Sequence, residues 1–402
     1  MKRLSDSIVV AIPAMDEAAW LPGTLNSLAA QTIQGFQVVV CVNQPDPWWD
    51  DPVRVATCHN NRSTMEWLSS HRKQFPFKVH ILNRTSRGMG WPHEKGGAGL
   101  ARRVVMDEAA RHIPPEGVIV SADADAMYES GYLEAIAHRM AAYPGSVALA
   151  APYYHPLTNN TEHNRAMLMY ELYMRFHLLN MMRIGSPYAF TAIGSAMAVT
   201  RAAYQKVGGV PLKPFGEDFY LLQKLAKTGK VLTHLYAKAL PAARVSNRVA
   251  FGTGPAITES LAGNKPRYQI LHPNLYEPIG QLYQMLPALF SKNQSTPLDD
   301  KIAATFKQPS IWEPLRNNAK TTETFLKACH QKLDALRTWQ WLRQGATHYD
   351  PDEALLANLQ LFLPDIHKQL SGSMPDYSQL VEIRDRLCQV ECIKRKAYDE
   401  EN

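Results

Sequence analysis

Val118-Ile119-Val120-Ser121-Ala122-Asp123-Ala124-Asp125-Ala126 sets two carboxylates directly behind a short run that is apolar until Ser121. A run apolar at every position, rather than at alternate ones, suits a strand whose two faces are both covered. Four more short runs read as strands, at residues 8–12, 37–42, 78–82 and 146–150, several of them apolar throughout. Between them lie stretches with helical spacing of apolar residues at 17–31, 57–73, 99–112 and 132–143. Repeated strand–helix–strand alternation predicts an α/β fold: a mostly parallel, Rossmann-like sheet with helices on both faces.

Further along, the spacing predicts a long helix at 161–183, a strand at 196–200, a helix at 219–228 and a strand at 231–235. From about Gly254 to Tyr276 the chain is rich in Pro, Gly and Asn, and beyond it reads as helical, including 319–344, 352–363 and 378–398. Asp352 behind Pro351, followed by Glu353-Ala354-Leu355-Leu356, marks a helix start. The expected organisation is a first domain over residues 1–253 and a mainly helical C-terminal region over 254–402. No internal repeat or low-complexity tract is found.

Composition narrows the function classes. Of 402 residues, 46% are hydrophobic and 20% charged, the balance of a globular protein able to bury a large core. The net charge of +6 is scattered, without a basic stripe interleaved with aromatics, which argues against nucleic acid as a partner. The five cysteines are unevenly spaced and form no CxxC, so free thiols in a reducing compartment are expected. The apolar stretch near the N-terminus meets Pro13 after about five residues, too few for a signal segment. The uncharged run 184–200 is broken by Pro187 and falls short of the ~20 apolar residues of a membrane span. These features read as a cytoplasmic protein without a transmembrane segment, with peripheral membrane contact and oligomeric state left open.

In open α/β sheets, ligands bind beyond the carboxyl ends of the strands. Asp123 and Asp125 emerge there, one residue apart, and carboxylate oxygens suit Mn²⁺ or Mg²⁺. Taken alone, such a pair more often caps a turn. About ninety residues later, Gly216-Glu217-Asp218 opens an apolar helix, where acids are also favoured by capping and the helix dipole. Between the two lie Gly194-Ser195-Ala196 and Gly208-Gly209. Arg244-Val245-Ser246-Asn247-Arg248, beside Gly252-Thr253-Gly254, reads equally as a diphosphate clamp and as a surface loop. Gly96-Gly97-Ala98-Gly99 lacks the GxGxxG spacing and does not follow a strand directly, which excludes a dinucleotide fingerprint.

Taken in order, these motifs resemble those of glycosyltransferase family 2, whose members have the GT-A fold. Ile8-Val9-Val10-Ala11-Ile12-Pro13-Ala14-Met15-Asp16-Glu17 is similar to that family's opening strand and its Pro-x-x-Asn-Glu. Gly97-Ala98-Gly99-Leu100-Ala101-Arg102-Arg103 is similar to its Gly-x-x-x-Ala-Arg-Asn helix, Asp123-Ala124-Asp125 to its metal motif, and Gly216-Glu217-Asp218 to its downstream acids. The resemblance covers roughly residues 7–240. It implies a metal-dependent transfer of a sugar from a nucleoside-diphosphate sugar, UDP or GDP, to a hydroxyl acceptor. Asp218 would be the base of an inverting reaction, with Glu217 the lesser candidate. Pro13, Glu17, Asn43, Arg102, Asp123, Arg244 and Arg248 would line the nucleotide-sugar site. Asp123 and Asp125 would hold Mn²⁺ or Mg²⁺. Among the histidines, His234 is the preferred third ligand, although a lone histidine is more often structural.

Two departures bear on the donor. Asp16 stands for the usual Asn, and Val42-Asn43-Gln44-Pro45 stands where the family has Asp-Asp-Gly-Ser. An amide both donates and accepts, whereas a carboxylate only accepts, so the base is not fixed by the sequence. The aromatics between 170 and 190 read first as core and second as acceptor contacts. The alternatives are a retaining transferase of the glycerate-glycoside kind and a non-catalytic nucleotide-sugar-binding protein. A nucleotidyltransferase lacks its glycine-rich, lysine-bearing loop here.

Overall fold

The computed structural model describes residues 7–92, 97–213, 215–244, 258 and 268–401. The chain forms two compact units, and neither is continuous in sequence: Met1–Asn159 with Ala192–Thr258, and Asn160–Thr191 with Glu259–Asn402.

The first unit is the expected α/β layer structure. Strands β1 (Ile8–Ala14), β2 (Gln37–Asn43), β3 (Lys78–Arg84) and β4 (Val118–Ser121) alternate with helices α1 (Leu21–Ala29), α2 (Val55–His71) and α3 (Gly97–Ala109). After the two-residue strand β5 (Met127–Tyr128) come α4 (Tyr132–Ala142) and β6 (Ser146–Ala150). The chain returns from the second unit as β7 (Met197–Thr200), α6 (Arg201–Lys206), α7 (Glu217–Ala226), β8 (Lys230–Leu232) and β9 (Ala239–Leu240). The main sheet runs β3-β2-β1-β4-β7-β6-β8. Neighbours are parallel except β7, which is antiparallel to both β4 and β6. Val9, Val10, Ala11 and Ile12 are fully buried, as are Val38 to Val42, which explains why these strands carry no polar alternation.

The two-stranded sheet of β5 and β9, with Met127 opposite Leu240, was not legible in the sequence. Two residues give no periodicity to read. It matters for the site, because it fixes the chain just after Asp125 to the chain just before Arg244.

The second unit is helical, as expected for the C-terminal region, but it also contains α5 (Thr161–Arg183). That helix was expected within residues 1–253. Instead it packs along the helix Tyr377–Glu401. The reason lies in its buried face, which carries charge as well as apolar groups. Arg175 contacts Glu171 at 3.2 Å and Glu391 at 2.6 Å, and Arg395 Nε donates to Glu391 at 2.7 Å. All four are nearly without solvent exposure, and buried charges persist only when paired in this way. The stretch 319–344, expected as one helix, is two: Thr322–Lys332 and Ala335–Ala346. Asp334 caps the second by accepting from the Arg337 amide at 3.3 Å, an N-cap inside an otherwise helical pattern.

Candidate active site

The acids sit beyond the carboxyl end of β4, at the edge where open α/β sheets bind ligands. The Asp123-Ala124-Asp125 turn is tied down on several sides. Ala122 N donates to Ala11 O of β1 at 3.0 Å, and Thr24 Oγ1 of α1 donates to Ala124 O at 2.8 Å. Ala124 is buried, so the two aspartates flank a small residue that the packing accommodates.

Arg102 organises the site. Placed on α3, it is 5% exposed. Its Nη2 donates to Asp123 Oδ1 at 2.8 Å and its Nε to Glu217 Oε1 at 3.0 Å. Its Nη1 donates to Ser121 Oγ at 2.8 Å and to Gly194 O at 3.1 Å. Burial alone would lower the guanidinium's proton affinity, but the Asp123 and Glu217 carboxylates outweigh it and the pKa is raised. Arg102 was expected among the nucleotide-sugar contacts. Its nitrogens donate to Asp123, Glu217, Ser121 and Gly194, which joins the two acidic motifs.

Two glycines permit this closeness. A Cβ on Gly194 would lie 2.3 Å from Arg102 Nη2, and one on Gly99 would lie 2.8 Å from Lys213 O. The first lies in the small-residue run noted in the sequence, but its partner could not be read there.

Asp218 follows Glu217 in the first turn of α7, whose Leu221, Leu222 and Leu225 anchor it to the sheet. Asp218 is half-buried, and its Oδ1 accepts from the Phe219 amide at 2.7 Å. Burial and then the neighbouring Glu217 charge push its pKa up to about 7, against the opposing pull of Arg102 and the Phe219 amide. Asp123 adds to the upward push, which places the two acidic motifs within electrostatic reach of each other. A carboxyl group poised near neutrality is suited to proton transfer.

The opening turn brings a third group. Asp16 adopts a left-handed conformation, with φ of 61°, a region that Asp and Asn tolerate better than most residues. Its amide donates to Asn61 Oδ1 at 2.8 Å. The turn carries Glu17 inward, where it is 4% exposed and meets the Arg244 guanidinium. Arg244 Nε also lies 2.6 Å from Asp125 Oδ2. Pro13, half-buried at the end of β1, is in register with Cys41 of β2.

Asn43 was expected to face a nucleobase. It is 4% exposed, its amide nitrogen donates to Ala14 O at 2.9 Å and to Cys41 O at 3.3 Å, and its oxygen accepts from Trp91 Nε1 at 3.2 Å. The side chain therefore braces the end of β2 against β1. Sequence reading missed this because the partner, Trp91, lies far along the chain with no pattern to mark it. Arg248 and the Gly-Thr-Gly loop lie outside the described residues. His234 was expected to join Asp123 and Asp125 as a ligand. Among the described residues, no group of three or more His, Cys, Asp or Glu side chains gathers in a way that could hold a metal ion. Asp123 faces Arg102 and Asp125 faces Arg244, so the aspartates are balanced by arginines. The aromatics of 170–190 serve the core of the second unit: Phe176, Tyr188 and Phe190 are buried, and Tyr173 and Tyr268 pack 5.5 Å apart.

A shallow groove of about 630 Å³ is lined by Phe36, Gln37, Phe75, Phe77 and Lys78. It lies at the opposite, amino ends of β2 and β3 and contains no acid or histidine. Among the described residues, no helix is long and apolar enough to cross a membrane.

No family model and no curated protein sequence matches this chain. Solved structures similar to it include S. aureus TarS 1-349 in complex with UDP-GlcNAc, at 14% identity and a TM-score of 0.42, covering 97% of this chain and 92% of that one. The mannosyltransferase PcManGT from Pyrobaculum calidifontis, in complex with GDP-Man and Mn²⁺, shares 15% identity at a TM-score of 0.40, covering 98% and 86%. GalNAc-T7 with UDP, GalNAc and Mn²⁺ shares 12% identity at 0.38, covering 80% and 56%. At these scores the likeness adds no weight to the reading of the site.

Proposed function

We propose that this chain is a glycosyltransferase of GT-A type that moves a sugar from a nucleoside-diphosphate sugar, UDP- or GDP-linked, to a hydroxyl acceptor. The observation that carries this reading is the Arg102 guanidinium, which binds Asp123 behind β4 and Glu217 at the head of α7. It gives the ordered motifs of the sequence a common location. Asp218, held beside Glu217 with its pKa near 7, is the base. As the acceptor oxygen attacks the anomeric carbon, its proton passes to the Asp218 carboxylate. The bond from that carbon to the diphosphate breaks with its electron pair on the leaving oxygen, and the anomeric configuration inverts. Glu217 is committed to Arg102 and its role is to hold that cation in place.

A divalent cation, Mn²⁺ or Mg²⁺, fits the donor set through Asp125 with Asp123 beside it. Two hard carboxylates leave positions for donor phosphate oxygens and water, as suits an ion that keeps several non-protein ligands. When bound, it would neutralise charge on the departing diphosphate. Glu17 and Arg244 line the same edge of the sheet and belong to the donor side.

Release of UDP or GDP from a panel of sugar donors, measured with purified protein, Mn²⁺ and candidate acceptors, tests the reading. Release with at least one donor, abolished in Asp218→Asn, is expected. Absence of both donor binding and release across the panel overturns it. A β-configured product from an α-linked donor supports inversion, and retention would reassign Asp218.

A further inference from the structure

Three distant parts of the first unit converge on one guanidinium. Glu17 comes from the turn after β1, Asp125 from the turn after β4, and Arg244 from the chain after β9. The pairing of Met127 with Leu240 brings the last two together. Arg244 Nε lies 2.6 Å from Asp125 Oδ2, Nη2 contacts Glu17 Oε1, and the guanidinium carbon stands 5.3 Å from the centre of the Trp20 indole. The three side chains are only 19%, 17% and 5% exposed for Arg244, Asp125 and Glu17. Two carboxylates so screened from water need a cation between them.

We propose that Arg244 is the resident cation of this seat and that it competes with a divalent ion for Asp125. The inference rests on the donor-site reading above and adds a feature of its regulation. The arginine balances the charge of Asp125 and Glu17 while no donor is bound. A divalent ion reaches Asp125 only when Arg244 withdraws. A diphosphate draws Arg244 away, since its oxygens match the guanidinium fork as well as a carboxylate does. Ion and nucleotide therefore enter together, and the ion alone binds weakly. Trp20 holds the guanidinium by its face while leaving its edges for the acids, a contact that survives a small swing of the side chain.

Mn²⁺ binding to the purified full chain, followed by electron paramagnetic resonance without any sugar donor, tests this. Arg244→Gln should bind Mn²⁺ at least tenfold more tightly than the parent protein. Arg244→Lys, which keeps a cation but loses the fork that spans both acids, should fall between the parent and Arg244→Gln. Adding Asp125→Asn to Arg244→Gln should abolish the gain, which locates the ion at this carboxylate. Thermal melts of each variant confirm that the compared proteins are folded. Equal Mn²⁺ affinity in the parent and Arg244→Gln overturns the proposal, as does a gain that persists without the Asp125 carboxylate, or no binding in any variant. None of these titrations contains a sugar. Failure here with donor release intact removes only the arginine's role. Failure of donor release with competition intact removes only the transferase reading.

Discussion

Arg102 Nε lies 3.0 Å from Glu217 Oε1, with both side chains closed off from solvent. This contact, together with the one to Asp123, makes the guanidinium a shared counter-charge for two acidic motifs. Arg102→Met should destabilise the protein by about 3–5 kcal/mol, because it leaves the buried Glu217 carboxylate uncompensated and removes the partner of the half-buried Asp123. Arg102→Lys should recover less than half of that loss, since one ammonium cannot reproduce the fork that reaches Asp123, Glu217 and Ser121 at once. Chemical denaturation of both variants measures this, and full recovery by lysine would show that charge alone suffices.

Gly194 meets the same arginine from the other side. A methyl group there would stand 2.3 Å from Nη2 and 2.7 Å from Cζ of Arg102. An arginine tip usually yields to such a clash, but this one is held by four hydrogen-bonded neighbours. Gly194→Ala should cost about 1–3 kcal/mol by overpacking. It should also reduce turnover, because the arginine that shifts carries Glu217 and with it the start of α7. A neutral outcome in both stability and turnover would contradict this.

The Asp218 carboxyl, with its pKa raised to about 7, gives activity and stability opposite dependences on pH. As a base it must be ionised, so kcat/KM should rise about tenfold per pH unit below 7 and level off above it. For stability, the ordinary value of 3.8 applies to the unfolded chain. Between the two values the folded state holds a proton that the unfolded state has lost. Stability from this group therefore falls as pH rises through that window and stays low above it. Asp218→Asn should be inactive yet stabilised at pH 8 by on the order of 1–3 kcal/mol, and close to the parent at pH 4. Melting curves at the two pH values decide the second part.

Glu391 is the common partner of Arg175 and Arg395 inside the second unit, and their charges hold its carboxyl ionised in spite of burial. Glu391→Gln should lower stability by about 3–5 kcal/mol, because two buried guanidinium groups lose the carboxylate they share. Urea unfolding should show a lower midpoint with an unchanged slope if the native packing survives.

Much of the first unit was legible because each strand is a short apolar run bounded by turns. Strands at 8–14, 37–43, 78–84, 118–121 and 146–150 and helices at 55–71, 97–109 and 132–142 lie within a few residues of their expected places. The acids were legible as types at the ends of elements. Their partners were not. A sequence shows that Arg102 and Asn43 are polar but not which groups they bond. The answers, Glu217 for one and Trp91 with the Ala14 carbonyl for the other, are tertiary contacts with no local signature. The membership of α5 was hidden for the same reason. Its period was plain from the sequence, while the helix that covers it lies near the other end of the chain.

That placement of α5 has a consequence for biosynthesis. Thr161–Arg183 leaves the ribosome long before Tyr377–Glu401, the helix that supplies Glu391. During that interval, the buried Leu172, Phe176 and Leu179 are without their permanent cover and Arg175 lacks Glu391. A nascent chain in this state is sticky, and contacts so far apart in sequence form late. A product stopped near residue 253 would keep the acids of the proposed site and still be expected to precipitate, because it retains α5 and lacks the helix that packs along it.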